Sequence, residues 1–250
     1  MKAVNQVLTL EHVADELISM LVREKTPFVL DRKKLADQKE RLQDILANIK
    51  YPIQPDFLPF KDGVYFFDIV TDTATLLEAF RLRFLAYSDA PVGYIKPEQF
   101  ENFPLGIEFD KYDGAAFHFY ARSIETGRLC SNLRYIEDTP LGLQIDENLD
   151  ISAYRGRYRL CEMSRMISFP RGKSEMQAVL RENFKKFARE RGIQKIVGSS
   201  RNAQERFFTE KVGMVPMDPR REYRLSDKVE WGSDPDRMYG NIIHLDQGAR

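Results

Sequence analysis

Three charged residues of this 250-residue chain lie inside segments that otherwise have the composition of β-strands. Arg134 is flanked by apolar residues in Leu133–Ile136, and Glu162 and Arg165 lie within Leu160–Phe169. Such a charge either faces water or needs a partner of opposite sign, because an unpaired buried charge costs several kcal/mol. The sequence therefore predicts either an exposed strand face or a paired polar cluster at these positions.

Two further groups of polar residues supply possible partners. Arg83 and Tyr87 are four residues apart in a segment with helical periodicity, so they share one face of that helix. Glu108, Asp110 and Asp113 alternate with apolar and aromatic residues in the next segment. Three acids and three arginines allow complete pairing, which is the alternative to an exposed face.

A basic loop, Phe169–Ser174, connects a predicted strand to a predicted helix. The first N–H groups of a helix have no partner within it, and together with the positive helix end they favour a phosphate. Arg171 and Lys173 add positive charge beside Gly172 and Ser174. The loop is not a Walker motif, because the first glycine and its spacing are missing. A phosphate-binding loop and a solvated basic turn both fit these residues.

The elements that must position these residues are predicted from hydrophobic periodicity and turn signals. In chain order they are the strand Val64–Val70, the helix Thr73–Tyr87, the strands Ala115–Arg122, Leu129–Ile136 and Arg159–Phe169, the helix Ser174–Arg191, the strand Ile193–Gly198 and a helix that Asn202 caps and Gly213 ends. This order predicts an α+β fold, in which an antiparallel sheet carries helices on its faces.

The first 60 residues are predicted to form a separate extension. Residues 11 to 50 have helical periodicity, with Asp31 as a possible cap and an apolar stripe that includes Leu42 and Ile45. Three prolines in residues 51–59 predict an extended linker. We therefore expect a domain boundary near residue 60 and packing of the apolar stripe against the following domain or a second subunit.

Composition excludes several classes of protein. Lys and Arg together number 38, as do Asp and Glu, so the whole chain has no electrostatic reason to bind nucleic acid. Two cysteines, without a CxxC pair, and three histidines argue against a disulfide framework or a zinc site. No run of eighteen apolar residues predicts a membrane span. The expectation is a soluble, cytoplasmic protein without a bound metal.

The spacing of the polar groups resembles that of the acyl-homoserine lactone synthases, the long-chain N-acyl amino acid synthases and the exosortase-associated acyltransferases. Those GNAT-type families share an Arg-x-x-x-Phe helix, a Glu-x-Asp-x-x-Asp block, an Arg-Leu strand and a Glu-x-Ser-Arg strand. The chain has the corresponding elements in the same order, as Arg83-x-x-x-Tyr87, Glu108-x-Asp110-x-x-Asp113, Leu133-Arg134 and Glu162-x-Ser164-Arg165. The resemblance spans residues 64 to 215. It implies a GNAT-like acyltransferase domain over residues 61–250, with a mixed, mostly antiparallel sheet flanked by helices.

The resemblance also implies roles for individual residues. The amine-substrate pocket would be bordered by Arg83, Tyr87, Glu108, Asp110, Asp113, Arg134 and Arg165. Asn202 and the pair Phe207–Phe208, which precede Gly213, resemble the GNAT segment beside the phosphopantetheine arm of the acyl donor. With the loop Arg171–Ser174 they would bind an acyl-CoA or an acyl carrier protein as co-substrate, and no permanently bound cofactor is implied. The basic residues near that loop suit an acidic carrier protein.

Two departures from the family pattern bear on the acceptor. The lactone synthases carry a tryptophan shortly after the helix aromatic, whereas the only tryptophan here is Trp231. Tyr87 replaces the usual phenylalanine, and Tyr135–Glu137 replaces a Leu-Pro-Thr-like ending. These differences favour an amino acid or a similar amine over S-adenosylmethionine.

Aminolysis of a thioester needs a base, a site for the oxyanion and a leaving thiolate. Glu162 is the candidate base, and N–H groups near Met166 and Ile167 are candidates to hold the oxyanion. Cys161 faces the opposite side of the strand, so a cysteine acyl-enzyme is not expected. The alternatives are an acetyl-CoA-dependent N-acetyltransferase and a non-catalytic module that binds an acyl thioester or its product. The sequence alone decides neither acyl length nor oligomeric state.

Overall fold

The computed structural model describes residues 31–49, 60–61, 63–89, 94–169, 174–201, 204–219, 222–224 and 237–245. Within this part of the chain the helices are α1 (Arg32–Asn48), α2 (Thr73–Ser88), α3 (Ser152–Arg155), α4 (Ser174–Glu190) and α5 (Glu205–Phe207), the last continuing as a π-helical turn, Phe208–Val212. Single 3₁₀ turns span Pro97–Asn102, Asp113–Ala115 and Gln144–Glu147.

The described strands are β1 (Phe60–Lys61), β2 (Tyr65–Ile69), β3 (Ala116–Ser123), β4 (Leu129–Glu137), β5 (Leu160–Ser168), β6 (Lys195–Arg201), β7 (Val215–Pro216), β8 (Glu222–Arg224) and β9 (Arg237–His244). They form one sheet in the order β1-β2-β3-β4-β5-β6-β9-β7, with β8 also on β9. Among the described strands only β5 and β6 pair in parallel, and the other pairs are antiparallel. The predicted α+β class with a mostly antiparallel sheet is confirmed.

Successive strand residues point to opposite sides of the sheet, so both of its faces carry apolar side chains. Helices cover both faces. On one face α2 packs Leu76 and Phe80 with α1 residues Leu42 and Ile45. On the other face α4 packs Phe184 and its neighbours against the inward side chains of β3 and β4. A third apolar cluster lies where the segment between β4 and β5 packs against β6 and β9.

The predicted helices and strands from residue 64 to residue 201 are confirmed, with ends that differ by a few residues. Helix α1 begins after Asp31, whose side chain accepts hydrogen bonds from the N–H groups of Lys33 and Lys34, as predicted for its cap. The predicted helical residues 11 to 30 and the predicted linker 51–59 lie outside the described residues. The domain boundary near residue 60 therefore stays a prediction.

Helix α1 packs against the elements that follow it through apolar and polar contacts. Leu42 and Ile45 are buried in the cluster that contains α2. The buried amide of Gln38 accepts a hydrogen bond from the N–H of Leu105 at 2.8 Å and donates one to the carbonyl of Ile107 at 3.3 Å. Among the described helices, none combines the length and apolarity needed to cross a bilayer.

Candidate active site

Six charged residues form a closed ring of ion pairs beneath one face of the sheet. Each arginine contacts two of the acids and each acid contacts two of the arginines. In order around the ring the residues are Arg83, Glu108, Arg165, Asp110, Arg134 and Asp113. We call this set the ion-pair ring. An exposed strand face, the alternative left open by the sequence, is therefore wrong for Arg134 and Arg165.

The contacts in the ion-pair ring are short and largely buried. Arg83 donates two parallel hydrogen bonds of 2.7 and 3.0 Å to Asp113 and also donates to Glu108. Arg134 donates to Asp110 at 2.6 Å and to Asp113 at 2.9 Å, while Arg165 reaches Asp110 at 2.6 Å. Bidentate and charge-assisted bonds of this kind fix side-chain geometry as well as charge.

Charge compensation keeps Asp113 and Arg83 ionised despite their burial. Burial raises the pKa of Asp113, but the guanidinium groups of Arg83 and Arg134 outweigh it and hold that pKa well below its usual range. Burial likewise opposes ionisation of Arg83, whose pKa is nevertheless raised by Asp113 and Glu108. His118 lies 3.6 Å from Asp113, and burial lowers its pKa to about 4, so the imidazole is neutral at pH 7. With three acids and three arginines, the ring has a formal net charge of zero.

Glu162 lies beside the ion-pair ring but is not one of its members. Its side chain is 2% exposed, and its Oε2 accepts a hydrogen bond from the N–H of Ile145 at 2.9 Å. Burial raises the pKa of Glu162 to about 7, against the lowering effects of Arg134, the Ile145 N–H and Arg165. The sequence could not decide between burial and Arg165; in the structure burial is the larger effect. A carboxyl group with this pKa can exchange a proton near neutral pH.

A cavity of about 380 Å³ opens where β5 and β6 separate. The two strands pair only through Leu160–Glu162 and Lys195–Val197, although β5 continues to Ser168 and β6 to Arg201. Gly198 permits the close approach before the gap, since a Cβ there would lie 2.8 Å from the carbonyl oxygen of Met163. The gap exposes two strand edges that can accommodate an extended ligand.

The wall of this cavity combines the candidate base with aromatic and polar residues. Glu162, Ser164, Arg165, Met166 and Ile167 come from β5, and Tyr87 comes from α2. Gln177, Gln204, Phe207 and Phe208 also line the cavity. Cys161 is buried in the core on the opposite face of β5, as its position next to Glu162 predicted.

A bulge in β5 shapes the middle of the wall. Asn132 pairs with Ile167 and Arg134 pairs with Ser164, so Arg165 and Met166 together lie opposite Leu133. Arg165 has a φ of 53°, in the left-handed region that non-glycine residues seldom occupy. Bulges re-aim side chains and are frequent beside active sites. Here the bulge lets Arg165 join the ion-pair ring and also line the cavity.

Comparisons with known proteins identify the fold. No protein-family model and no curated protein matches the chain. Among solved structures, FeeM, an N-acyl amino acid synthase from uncultured soil microbes, matches with a TM-score of 0.51 at 17% identity, over 75% of this chain and 92% of that chain. The chain has a GNAT-like fold. The resemblance stated from the sequence is confirmed at the level of the fold.

Two lactone synthases also match. The acyl-homoserine lactone synthase LasI is 16% identical over 74% of this chain and 92% of its own, with a TM-score of 0.48. MesI, a CoA-dependent acyl-homoserine lactone synthase, is 18% identical over 69% and 82%, with a TM-score of 0.45. At these identities and TM-scores the two matches carry no argument about activity, which has to be argued from the site.

Within this GNAT-like fold the predicted site residues fall into three groups. Glu162, Met166, Ile167, Tyr87, Arg165, Phe207 and Phe208 line the cavity. Arg83, Glu108, Asp110, Asp113 and Arg134 are brought together in the ion-pair ring beneath it and are not among the lining residues. Arg171, Gly172, Lys173 and Asn202 lie outside the described residues, and of Ser174 only the backbone at the start of α4 is described. Their roles stay predictions.

The structure also brings to the cavity residues that the sequence did not indicate. Gln144 and Ile145 come from the turn before α3, Tyr94 from the loop after α2, and Tyr223 from β8. A polar stretch with no periodicity gives no signal for the first two, and Tyr223 belongs to a part of the chain for which no element was predicted. No group of three or more His, Cys, Asp or Glu residues that could hold a metal occurs among the described residues.

Proposed function

We propose that this protein is an N-acyltransferase, which moves an acyl group from a thioester to the amine of an amino-acid-like acceptor. The observation that carries the proposal is Glu162, a buried carboxyl group in the wall of the cavity between β5 and β6, with a pKa of about 7. A base of this strength is half ionised at neutral pH and can accept a proton from an attacking amine. The GNAT-like fold is consistent with this chemistry.

In the proposed reaction the carboxylate of Glu162 takes one proton from the acceptor amine, directly or through a water molecule. The amine nitrogen attacks the thioester carbon, a C–N bond forms, and the C–S bond breaks after a tetrahedral intermediate. The proton held by Glu162 then passes to the departing sulfur. Amine and thioester become amide and thiol, so atoms and charges balance without a further reactant.

The bulge in β5 is the proposed oxyanion site. Met166 and Ile167 line the cavity immediately after the left-handed residue Arg165. Backbone N–H groups held by a rigid strand need no reorganisation as negative charge develops on the carbonyl oxygen. Short contacts from Arg165 to Asp110 and Glu108 support this rigidity.

Donor and acceptor are proposed to enter from different ends of the cavity. Gln177 of α4 lines the cavity together with Gln204, Phe207 and Phe208. We propose that the phosphopantetheine arm of an acyl-CoA or an acyl carrier protein lies against these residues. Tyr87 and Arg165 form the acceptor side with Glu162. Glu108 and Asp110, which do not line the cavity, hold Arg165 through ion pairs.

A second candidate is an acetyl-CoA-dependent N-acetyltransferase. The cavity volume of about 380 Å³ is near the lower end of the range for small-molecule sites, about 300 to 1,000 Å³. A cavity of this size favours a short acyl group with a small acceptor over a long acyl chain. The volume is the observation that favours this candidate.

Turnover measurements separate these activities. Purified protein would be assayed with acyl-CoA and acyl carrier protein donors from two to sixteen carbons, against a panel of amino acids and simple amines, with thiol release and amide formation both measured. Matched thiol and amide formation that requires the acceptor supports the proposal, and the preferred donor decides between the two candidates. Donor binding without turnover by any pair would instead indicate a binding module.

A further inference from the structure

The turn Gln144–Glu147 contacts the candidate base and the ion-pair ring at the same time. The side-chain oxygen of Gln144 accepts a hydrogen bond from Nη2 of Arg134 at 2.6 Å and a longer one from Nη1 of Arg165 at 3.4 Å. Its amide nitrogen donates to Asp110 at 3.3 Å. The next residue, Ile145, donates its backbone N–H to Glu162 at 2.9 Å. One peptide unit thus separates the ring contact from the base contact.

The tie to Arg134 is strong because that guanidinium is fully buried. Its Nη1 donates to Asp110 and Asp113, and its Nε donates to the hydroxyl of Ser164 at 3.0 Å. Nη2 is directed at Gln144, and a buried charged donor that loses its acceptor is costly. The geometry of Arg134 therefore fixes where the Gln144 side chain lies, and with it the direction of the following N–H.

We propose that Gln144 is a positioning residue: by binding Arg134 it holds the turn so that the Ile145 N–H points at the carboxylate of Glu162. For the catalytic consequence this inference rests on the proposed function. The turn itself has independent anchors, since Leu143 and Ile145 are buried in the third apolar cluster. These anchors should keep the turn folded when the Gln144 contact is lost. The expected change is then in the direction of the Ile145 N–H.

The expected effect is on the ionisation of Glu162. A hydrogen bond to a carboxylate favours the charged form, so a displaced N–H raises the pKa of the acid. The other charged or titratable groups that face Glu162 are Arg134 from β4, Arg165 from β5, Asp110 and Tyr112 from the loop before β3, and Tyr223 from β8. Glu147 of the same turn also lines the cavity. None of these residues is changed in the test.

The test variant is Gln144→Met, which keeps side-chain length but cannot make the three hydrogen bonds. The pH profile of kcat should move to higher pH by about one unit, the scale of one lost charge-assisted hydrogen bond. At pH 7 this lowers kcat about fivefold, with recovery to within about twofold at pH 9. Gln194→Met is the matched control, because Gln194 binds the backbone of Arg159 outside the site. Its profile should keep the wild-type midpoint.

A substrate-free measurement makes the inference independent of turnover. Unfolding free energies from pH 5 to pH 9 would be compared between Gln144→Met and the same variant with Glu162→Gln added. Their difference grows with pH and levels off near the folded-state pKa of Glu162, and the pH at which it levels off should lie about one unit above the value obtained in the wild-type background. If the difference levels off at the same pH in the two backgrounds, the role of Gln144 is overturned, whether or not any substrate is turned over. If Gln144→Met does not fold, Gln144→Asn replaces it, because the shorter side chain cannot reach Arg134. It is expected to give the same pKa shift and is tested by the same comparison.

Discussion

Replacing Glu162 by glutamine should stabilise the free protein at alkaline pH while lowering acyl transfer. The side chain is buried, and burial raises its pKa to about 7 from an ordinary value of 4.5. Glutamine keeps the shape and an oxygen that can accept the Ile145 N–H, so the fold should be retained. General-base assistance typically contributes about a hundredfold or more, and we expect a loss of at least about tenfold in kcat.

The magnitude of the stabilisation follows from linkage. A group whose pKa is higher in the folded state contributes stability below its unfolded pKa, and that stability is lost as pH rises through the folded pKa. For Glu162 the window runs from about 4.5 to about 7. With about 1.4 kcal/mol for each pKa unit, ionisation of Glu162 costs roughly 3 kcal/mol in full, and about 2 to 3 kcal/mol of this is lost between pH 5 and pH 8.

The assay is urea unfolding of wild type and Glu162→Gln across that range, with Glu125→Gln as a control in an exposed turn. The advantage of Glu162→Gln over wild type should be small at pH 5 and grow by about 2 to 3 kcal/mol at pH 8, whereas the control should show no such growth. An advantage that stays constant with pH would refute the assignment of a raised pKa to Glu162. Undiminished turnover by the variant would remove it from the mechanism.

Three other changes test the surrounding structure. Asp113→Asn leaves two buried arginines of the ion-pair ring without full charge compensation. It should lower the unfolding free energy by about 3 to 5 kcal/mol in urea melts. The control Asp37→Asn, on the exposed face of α1, should change the unfolding free energy little. Leu42→Ala should cost about 2 to 5 kcal/mol in the same assay if α1 belongs to the folded unit, because Leu42 is 1% exposed. Arg171→Ala combined with Lys173→Ala should raise the donor Michaelis constant at low salt and less at high salt, and an unchanged constant at low salt would indicate a solvated turn.

The central elements of the fold were predictable because their signals are local. Helices α2 and α4 have apolar periodicity, and β3 and β4 are joined by a short turn with Gly127 at a positive φ. Strand β9 was not predicted, and its partners explain why. It pairs with β6 at residues 195–201, more than thirty positions earlier in the chain, and its sequence has no clear alternation. Its conformation depends on that distant partner.

The site was predictable as a set of charges but not as a geometry. The residue types required that the acids and arginines pair if buried, and they do. No spacing rule indicated that the pairs would close into a ring, because four separate elements contribute to it. Gln144 could not be predicted because it lies in a polar stretch with no periodicity. The Ile145 N–H could not be predicted because a backbone donor carries no residue-type signal.

The balanced charges of the ion-pair ring explain how the pKa of Glu162 can be raised although Arg134 and Arg165 lie close to it. An uncompensated guanidinium nearby would lower the pKa of the carboxyl and weaken it as a base. In the structure each arginine is shared between two acids, so Arg134 and Arg165 lower the pKa of Glu162 less than burial raises it. The ring can therefore hold β5 and the loop before β3 rigidly through strong charged contacts without setting the ionisation of the base. Because its charges are paired, the ring can fix the positions of these elements while lowering the pKa of Glu162 less than an unpaired arginine would.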